Sequence, residues 1–278
     1  MVDDRNDNRT HILEQIATEA LGLLGSGQQV APFGSRAGGL SVADAYAVVT
    51  KLRDLRKARG ETPVGRKIGF TNRSIWPTYG VNGPIWNYMY DSTVHDLPAG
   101  GSVFALDGLA QPLIEPEIAL HLARAPQRGM SDADLLGCID WIAHGFEIVQ
   151  SIYPNWSFTA ADAIAGYGMH GAYLIGERHA IGGDLARWDK ALATFTLELK
   201  RDDGLTRSGR AQNVLDGPLP ALRFLIDEIA RHPGSEPLAA GEIITTGTLT
   251  EALPIAPGET WSTTLAGIDV LGLRVQLR

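Results

Sequence analysis

Leu113-Ile114-Glu115-Pro116-Glu117-Ile118-Ala119-Leu120-His121-Leu122 is the stretch on which the fold turns. Successive side chains of a strand point to opposite faces. Ile114, Pro116, Ile118, Leu120 and Leu122 then form one apolar face, and Leu113, Glu115, Glu117, Ala119 and His121 form the other. Two carboxylates on one face of an apolar segment are costly to bury unless a cation, a proton or a basic partner offsets them. Oxygen ligands at i and i+2 suit a hard divalent ion, Mg²⁺ or Mn²⁺. The same alternation also fits a solvent-facing edge strand, for which Pro116 is suited because it has no N–H to donate.

The 278 residues around this stretch suffice for one large domain, or a small segment joined to a large one. A hydrophobic content of 44% with 20% charged residues is globular and supplies a sizeable core. The net charge of −8 argues against a nucleic-acid binder and against an anionic membrane surface. The single cysteine, Cys138, excludes an intrachain disulfide and fits a reducing cytoplasm. It lies in an apolar helical pattern and reads as a buried, inert thiol. No apolar run approaches the roughly 20 residues of a membrane span. The acidic, polar start from Met1 to Asn8 reads as a frayed end rather than a targeting segment. A soluble, cytoplasmic protein is expected.

Upstream, Ile12, Leu13, Ile16, Ala17, Ala20, Leu21 and Leu24 recur at helical spacing until Gly25. A capping box, Ser41-x-x-Asp44, opens a second helix that closes on Arg56, Lys57 and Arg59 before Gly60. Val64 to Phe70 then reads as a strand, followed by a loop from Asn72 to Gly83. Trp76, Tyr79 and Trp86 lie close to that loop, as a lid over a pocket or as a packing cluster. Downstream, Ser131-x-x-Asp134 opens a helix in which Leu135, Leu136, Ile139, Ile142 and Ala143 face inward, and a strand follows from Gly145 to Tyr153. Asn155 to Gly171 reads as irregular. Strand signals then dominate over Gly171–Ile175, Thr194–Lys200, Glu242–Thr250 and from Trp261 onward, with one helix from Leu219 to Ala230. Early helices and late strands predict an α+β protein, with a helical portion over 1–62 and a β-rich portion over 63–278. Neither G-x-G-x-x-G after a strand nor G-x-x-x-x-G-K-[ST] occurs, so a doubly wound nucleotide-binding fold has no support.

Lys67-Ile68-Gly69-Phe70-Thr71, Ile114-Glu115-Pro116-Glu117-Ile118 and Phe146-Glu147-Ile148-Val149 together resemble the fumarylacetoacetate hydrolase superfamily. The branch of 2-keto-4-pentenoate hydratases and 4-oxalocrotonate decarboxylases is the most similar, over about Ala31 to the C-terminus. The resemblance implies a mixed β-roll, a homo-oligomer and one Mg²⁺ or Mn²⁺ held by Glu115, Glu117 and Glu147. It also implies a 2-oxo acid substrate, whose carboxylate and keto oxygens would fill open positions on the ion. Lewis acidity there favours the enolate shared by hydration, decarboxylation and C–C cleavage.

Lys67 matches the family's lysine, placed to pair with the substrate carboxylate or, with a depressed pKa, to move protons. Thr71 and Thr248 match pocket-lining positions in parts of the superfamily; each is also an ordinary polar strand end. Arg66 and Arg73 are candidate carboxylate clamps and Gln111 a candidate substrate contact, although exposed arginines and a strand-capping glutamine are equally ordinary. The chain departs from the hydratases after the third glutamate, where Ala165-Gly166-Tyr167-Gly168-Met169-His170 replaces an A-D-N-A-S-like run. His170 is thus a candidate for proton transfer or a structural histidine. A shortened Gly80–Met89 segment lacks an expected aspartate, for which Asp91 is the available substitute. His144 reads as a supporting or structural residue, and His121 as outside an all-oxygen site. These features predict a metal-dependent lyase that hydrates a 2-oxo-4-enoate in aromatic catabolism. A C–C hydrolase of an acylpyruvate such as maleylpyruvate or fumarylpyruvate, a 4-oxalocrotonate-type decarboxylase and a non-catalytic homologue are the alternatives.

Overall fold

The computed structural model describes residues 2–232 and 234–278. Among the described residues seven α-helices are formed: α1 (Val2–Leu23), α2 (Val42–Ala58), α3 (Trp76–Tyr79), α4 (Asp132–Leu136), α5 (Ala160–Ala165), α6 (Leu185–Thr194) and α7 (Pro218–Arg231). The first strands are β1 (Pro63–Gly69), β2 (Ile85–Tyr90), β3 (Val94–Asp96), β4 (Ser102–Phe104), β5 (Leu113–Leu122) and β6 (Ile139–Val149). They are followed by β7 (His170–Ala180), β8 (Thr196–Arg201), β9 (Thr206–Arg210), β10 (Ile243–Thr245), β11 (Leu253–Pro254), β12 (Thr260–Ala266) and β13 (Arg274–Leu277). The larger sheet has the order β2-β1-β10-β5-β6-β7-β3, with β11 also on β5. The smaller runs β4-β13-β12-β8-β9. Both are mixed, as the β-roll implied by the resemblance expects.

β5 is central, between β10 and β6, so the edge-strand reading is set aside. Pro116 is accommodated because β10 stops at Thr245, opposite Ala119. Beyond it the chain loops past Pro116, whose carbonyl accepts from the Leu249 N–H. The missing donor of Pro116 therefore falls where regular pairing has already ended.

The alternation of β5 separates two environments. Ile114, Ile118, Leu120, Ile142, Phe146 and Ile148 join the main core, which extends into α1 and α2 through Leu13, Ile16, Tyr46 and Leu52. The other face holds the glutamates and a small cluster of Met89, Ala119, Ala143, Tyr173 and Ile175. Tyr46 stacks on Trp86 at 5.2 Å and ties α2 to β2.

Several local expectations are corrected. The helix after Ser131 keeps its capping box but ends at Leu136, with Gly137 as its cap. Ile139–Val149 is instead one strand, because β-branched residues there pair along nearly the whole of β5. Cys138 lies in the turn between them and is buried, as a free thiol. α5 forms within the segment expected to be irregular, on a capping box of Thr159 and Asp162. α6 and the strand β2 were likewise unmarked by sequence pattern, and only Ile243–Thr245 of the expected Glu242–Thr250 strand forms. α1 is helical from Val2, since the polar start contains no Gly or Pro to break it; Met1 lies outside the described residues.

Candidate active site

Cross-strand register brings the acidic residues together. Glu115 of β5 lies directly opposite Glu147 of β6, and Glu117 lies opposite Gly145. One carboxylate oxygen from each of the three sits within 4.8 Å of the others. Glu117 and Glu147 are fully buried; Glu115 is half-buried and faces a cavity.

Each glutamate is held differently. Glu117 Oε2 accepts a 2.9 Å bond from the Gly247 N–H. Gly247 has φ +99, and a Cβ there would fall 2.1 Å from Thr71 Oγ1, so only glycine lets this loop reach the carboxylate. Glu147 Oε1 accepts from His170 Nδ1 at 2.7 Å, and its Oε2 lies 3.3 Å from Lys67 Nζ. Lys67 also donates to the Gly168 carbonyl at 2.8 Å. The segment in which the sequence departs from the hydratase pattern therefore anchors both the lysine and the third glutamate.

His170 owes its direction to a bulge. Ile148 pairs with Ala172 but Val149 pairs with His170, leaving Gly171 as the extra residue. A Cβ on Gly171 would lie 2.7 Å from the Ile148 carbonyl oxygen, which restricts the bulge to glycine. Without it, the alternation would turn His170 to the other face of the sheet.

The electrostatics are those of crowded anions. Burial, with repulsion from Glu147 and Glu115 added, raises the Glu117 carboxyl well above its ordinary range. Glu115 is pushed up to about 7, by burial foremost. For Glu147 burial acts upward too, but the Lys67 charge and the His170 bond outweigh it and hold the group low. Burial opposes the Lys67 ammonium, yet the three glutamates prevail and raise its pKa. Of the two roles expected for Lys67, this arrangement supports carboxylate pairing by an ammonium rather than a depressed-pKa base.

The donor set fits a hard divalent ion. Glu117 Oε1 is a buried oxygen with no partner, and Glu147 Oε2 makes no hydrogen bond beyond its ion pair with Lys67. Unpartnered carboxylate oxygens in a dry site are expensive unless a cation occupies the space between them. The convergence of three carboxylates is thus a candidate divalent-metal centre.

Lys67, Thr71, Glu115 and Thr248 line a cavity of about 790 Å³ with Phe70, Tyr79, Trp156 and Phe158. Other sequence candidates lie elsewhere. Arg66 is buried on the opposite face of β1, paired with Glu242 and set over the Tyr88 ring at 4.1 Å. Adjacent strand residues point apart, so Lys67 and Arg66 could not both reach the site. Gln111 Oε1 accepts from Gln29 and from the Asn155 N–H, closing a loop outside the cavity. Asp91 is exposed and accepts from the Thr62 N–H, so it does not replace the missing aspartate. Arg73 lines the cavity but pairs with Asp216 at 2.9 Å. His170 is buried behind Glu147, with its Nε2 at 3.0 Å from Thr93 Oγ1, and lines no part of the cavity. Direct proton transfer to a ligand there is not open to it.

His121 pairs with Asp140 at 2.6 Å and stacks on Trp141, away from the carboxylates. Gly168, Gly171 and Gly247 are the site residues that pattern reasoning missed. The only hint of them was glycine beside a matched position.

No family model matches the chain. It is 31% identical over 247 residues to a 2-keto-4-pentenoate hydratase of Dechloromonas aromatica, covering 87% of this chain and 89% of that protein. It is 29% identical over 252 residues to a 2-hydroxyhexa-2,4-dienoate hydratase of Comamonas testosteroni, covering 90% and 92%. Its fold matches a 4-oxalocrotonate decarboxylase from Pseudomonas putida G7, complexed with magnesium and adipate, with a TM-score of 0.83, 24% identity and 98% of both chains covered. With sequence likeness along most of its length, the chain belongs to the 2-keto-4-pentenoate hydratase family, and it shares its fold with the 4-oxalocrotonate decarboxylase.

Proposed function

We propose that this chain is a divalent-metal-dependent hydro-lyase that adds water across the alkene of a 2-oxo-4-enoate. The observation that carries the proposal is the convergence of Glu115, Glu117 and Glu147, with Glu115 and Lys67 on the wall of a cavity and one oxygen of Glu117 buried and unpartnered. Mg²⁺ or Mn²⁺ suits three carboxylates, and when bound it supplies Lewis acidity toward the 2-oxo acid end of a substrate. The chain's own residues do the rest. Gly247 and His170 orient two of the ligands. Lys67, fixed by Gly168, presents an ammonium to the substrate carboxylate. Thr71 and Thr248 supply hydroxyl groups on the cavity wall. The family likeness also brings homo-oligomeric assembly and a place in aromatic catabolism into the proposal, and the single cysteine brings a cytoplasmic setting.

The test is a product assay on 2-hydroxypenta-2,4-dienoate with Mg²⁺ or Mn²⁺. Hydration consumes the dienol absorbance, yields a single 4-hydroxy-2-oxo acid by mass and stops when EDTA removes the ion. Release of CO₂ from a dicarboxylic 2-oxo-enoate, with no turnover of the dienoate, would make the chain a decarboxylase. Pyruvate plus a second acid from an acylpyruvate would make it a C–C hydrolase.

A further inference from the structure

Part of the wall of the cavity is built from apolar side chains on strained backbone. Among the described residues, eight non-glycine residues have positive φ. Four of them, Phe70 (φ 60), Trp156 (φ 54), Met169 (φ 65) and Leu215 (φ 53), line this cavity, and all four are apolar. Bulky residues in the left-handed region are strained by about 1–2 kcal/mol each, and such strain persists where the surroundings impose it, often at ligand sites. Here all four strained residues lie on the cavity wall.

The aromatic rings add a second, independent observation. Tyr79 is stacked on Phe70 at 4.5 Å and on Phe158 at 5.6 Å. Trp156 lies 6.2 Å from Phe158. All four are only half-buried and line the cavity, so ring surface remains open to a ligand.

Charge and volume narrow the choice of ligand. Besides Lys67, which lies at Glu147, the cationic groups on the wall are Arg73 and Arg207. Arg73 is paired with Asp216 and Arg207 with Glu251. Both arginines on the wall are thus already matched by a carboxylate of the chain itself. A cavity of about 790 Å³ falls in the range of roughly 300–1,000 Å³ that holds drug-sized ligands. A five-carbon acid would leave most of it unfilled.

We infer that the cavity takes a 2-oxo monocarboxylic acid whose remote end carries an apolar group of about the size of an aryl ring. The inference rests on the 2-oxo acid reading above and names the part of the substrate that reading leaves open. The aromatic faces of Tyr79, Trp156 and Phe158 receive the tail, while Lys67 and an ion held by the glutamates would fix the carboxylate and keto oxygens.

Isothermal titration of the Mg²⁺-loaded full chain with three simple acids tests it. Pyruvate has no tail, 2-oxo-4-phenylbutanoate has an aryl tail and 2-oxoadipate has a remote carboxylate. The aryl acid is expected to bind roughly ten-fold or more tightly than pyruvate, and 2-oxoadipate no more tightly than pyruvate. Tyr79→Ala should lose at least five-fold more affinity for the aryl acid than for pyruvate. Equal binding of the aryl acid and pyruvate, or preferential binding of 2-oxoadipate, overturns the tail assignment while leaving the 2-oxo acid reading intact. Binding of none of the three, pyruvate included, overturns both.

Discussion

The two faces of the β5–β6 pair use the same backbone for opposite ends. Each buries a histidine with both ring nitrogens engaged. On the core face, His144 Nδ1 donates to the Glu117 carbonyl at 2.8 Å and its Nε2 accepts from Thr263 Oγ1 at 2.8 Å. Thr263 Oγ1 in turn accepts from the Leu273 N–H, so every polar group in the chain of contacts is satisfied. On the site face, His170 is bonded to Glu147, which sits in one cluster with Glu117, whose Oε1 is buried without a partner. Satisfied polar groups stabilise a core, whereas unsatisfied ones at a cavity mark where a ligand completes the structure. The difference lies in which groups face each histidine, since burial is nearly equal, with relative exposures of 1% for His144 and 2% for His170.

Removing one of the unsatisfied groups should have the largest effect. Glu117→Gln keeps the shape and the contact with Gly247 but removes the charge. Mg²⁺ binding by titration calorimetry should fall by more than the roughly 100-fold that marks the upper end for residues behind a ligand. In wild type, affinity should rise with pH through about 7, because the ion binds deprotonated carboxylates and Glu115 is pushed up to about 7. Unchanged binding in the variant would remove the metal centre from consideration.

The core-face histidine gives a smaller effect of a different kind. Burial holds His144 down at about 4, against about 6.5 in an unfolded chain. The unfolded state therefore binds the proton more readily, and the neutral ring contributes stability that is complete above pH 6.5. That contribution, about 3 kcal/mol, is lost as pH falls from 6.5 toward 4. Urea unfolding of wild type and His144→Gln at pH 5 and pH 7 measures it. The wild type should lose the larger part between the two values, and parallel losses would mean that His144 does not titrate with unfolding.

The same contrast sets how far sequence could go. Alternation along β5 correctly divided its side chains between two faces, since period two survives in any paired strand. It could not say which face was wet, and only the resemblance carried by Lys67 and Glu147 turned the glutamates inward. The helix expected as far as Ala143 failed because Ile139 and Ile142 fit both a helical and a strand pattern, and pairing with β5 decided between them. Arg66 was attractive as a neighbour of Lys67, but adjacency in a strand is what excludes it. The direction of His170 was beyond pattern reasoning, because one bulged glycine reverses the face on which a side chain appears. Positive φ at Phe70 and Trp156 is likewise a product of tertiary packing and leaves no mark on composition.

His170 offers the finest separation between the two faces. As a residue that holds Glu147, it acts through a donor at Nδ1, and it touches no ligand in the cavity. His170→Ala removes that donor and should weaken Mg²⁺ or Mn²⁺ binding by about 10- to 100-fold. His170→Asn is the sharper variant, because an asparagine amide N–H can occupy much the same place as Nδ1–H while having no pKa near neutrality. A positioning role predicts that Asn restores most of the metal affinity and most of the turnover. A proton-transfer role predicts that Asn restores metal affinity but leaves turnover as low as in Ala. Because Nε2 is spent on Thr93 and the ring is sealed behind Glu147, the first outcome is expected, and the second would require that the wall between His170 and the cavity opens during the reaction.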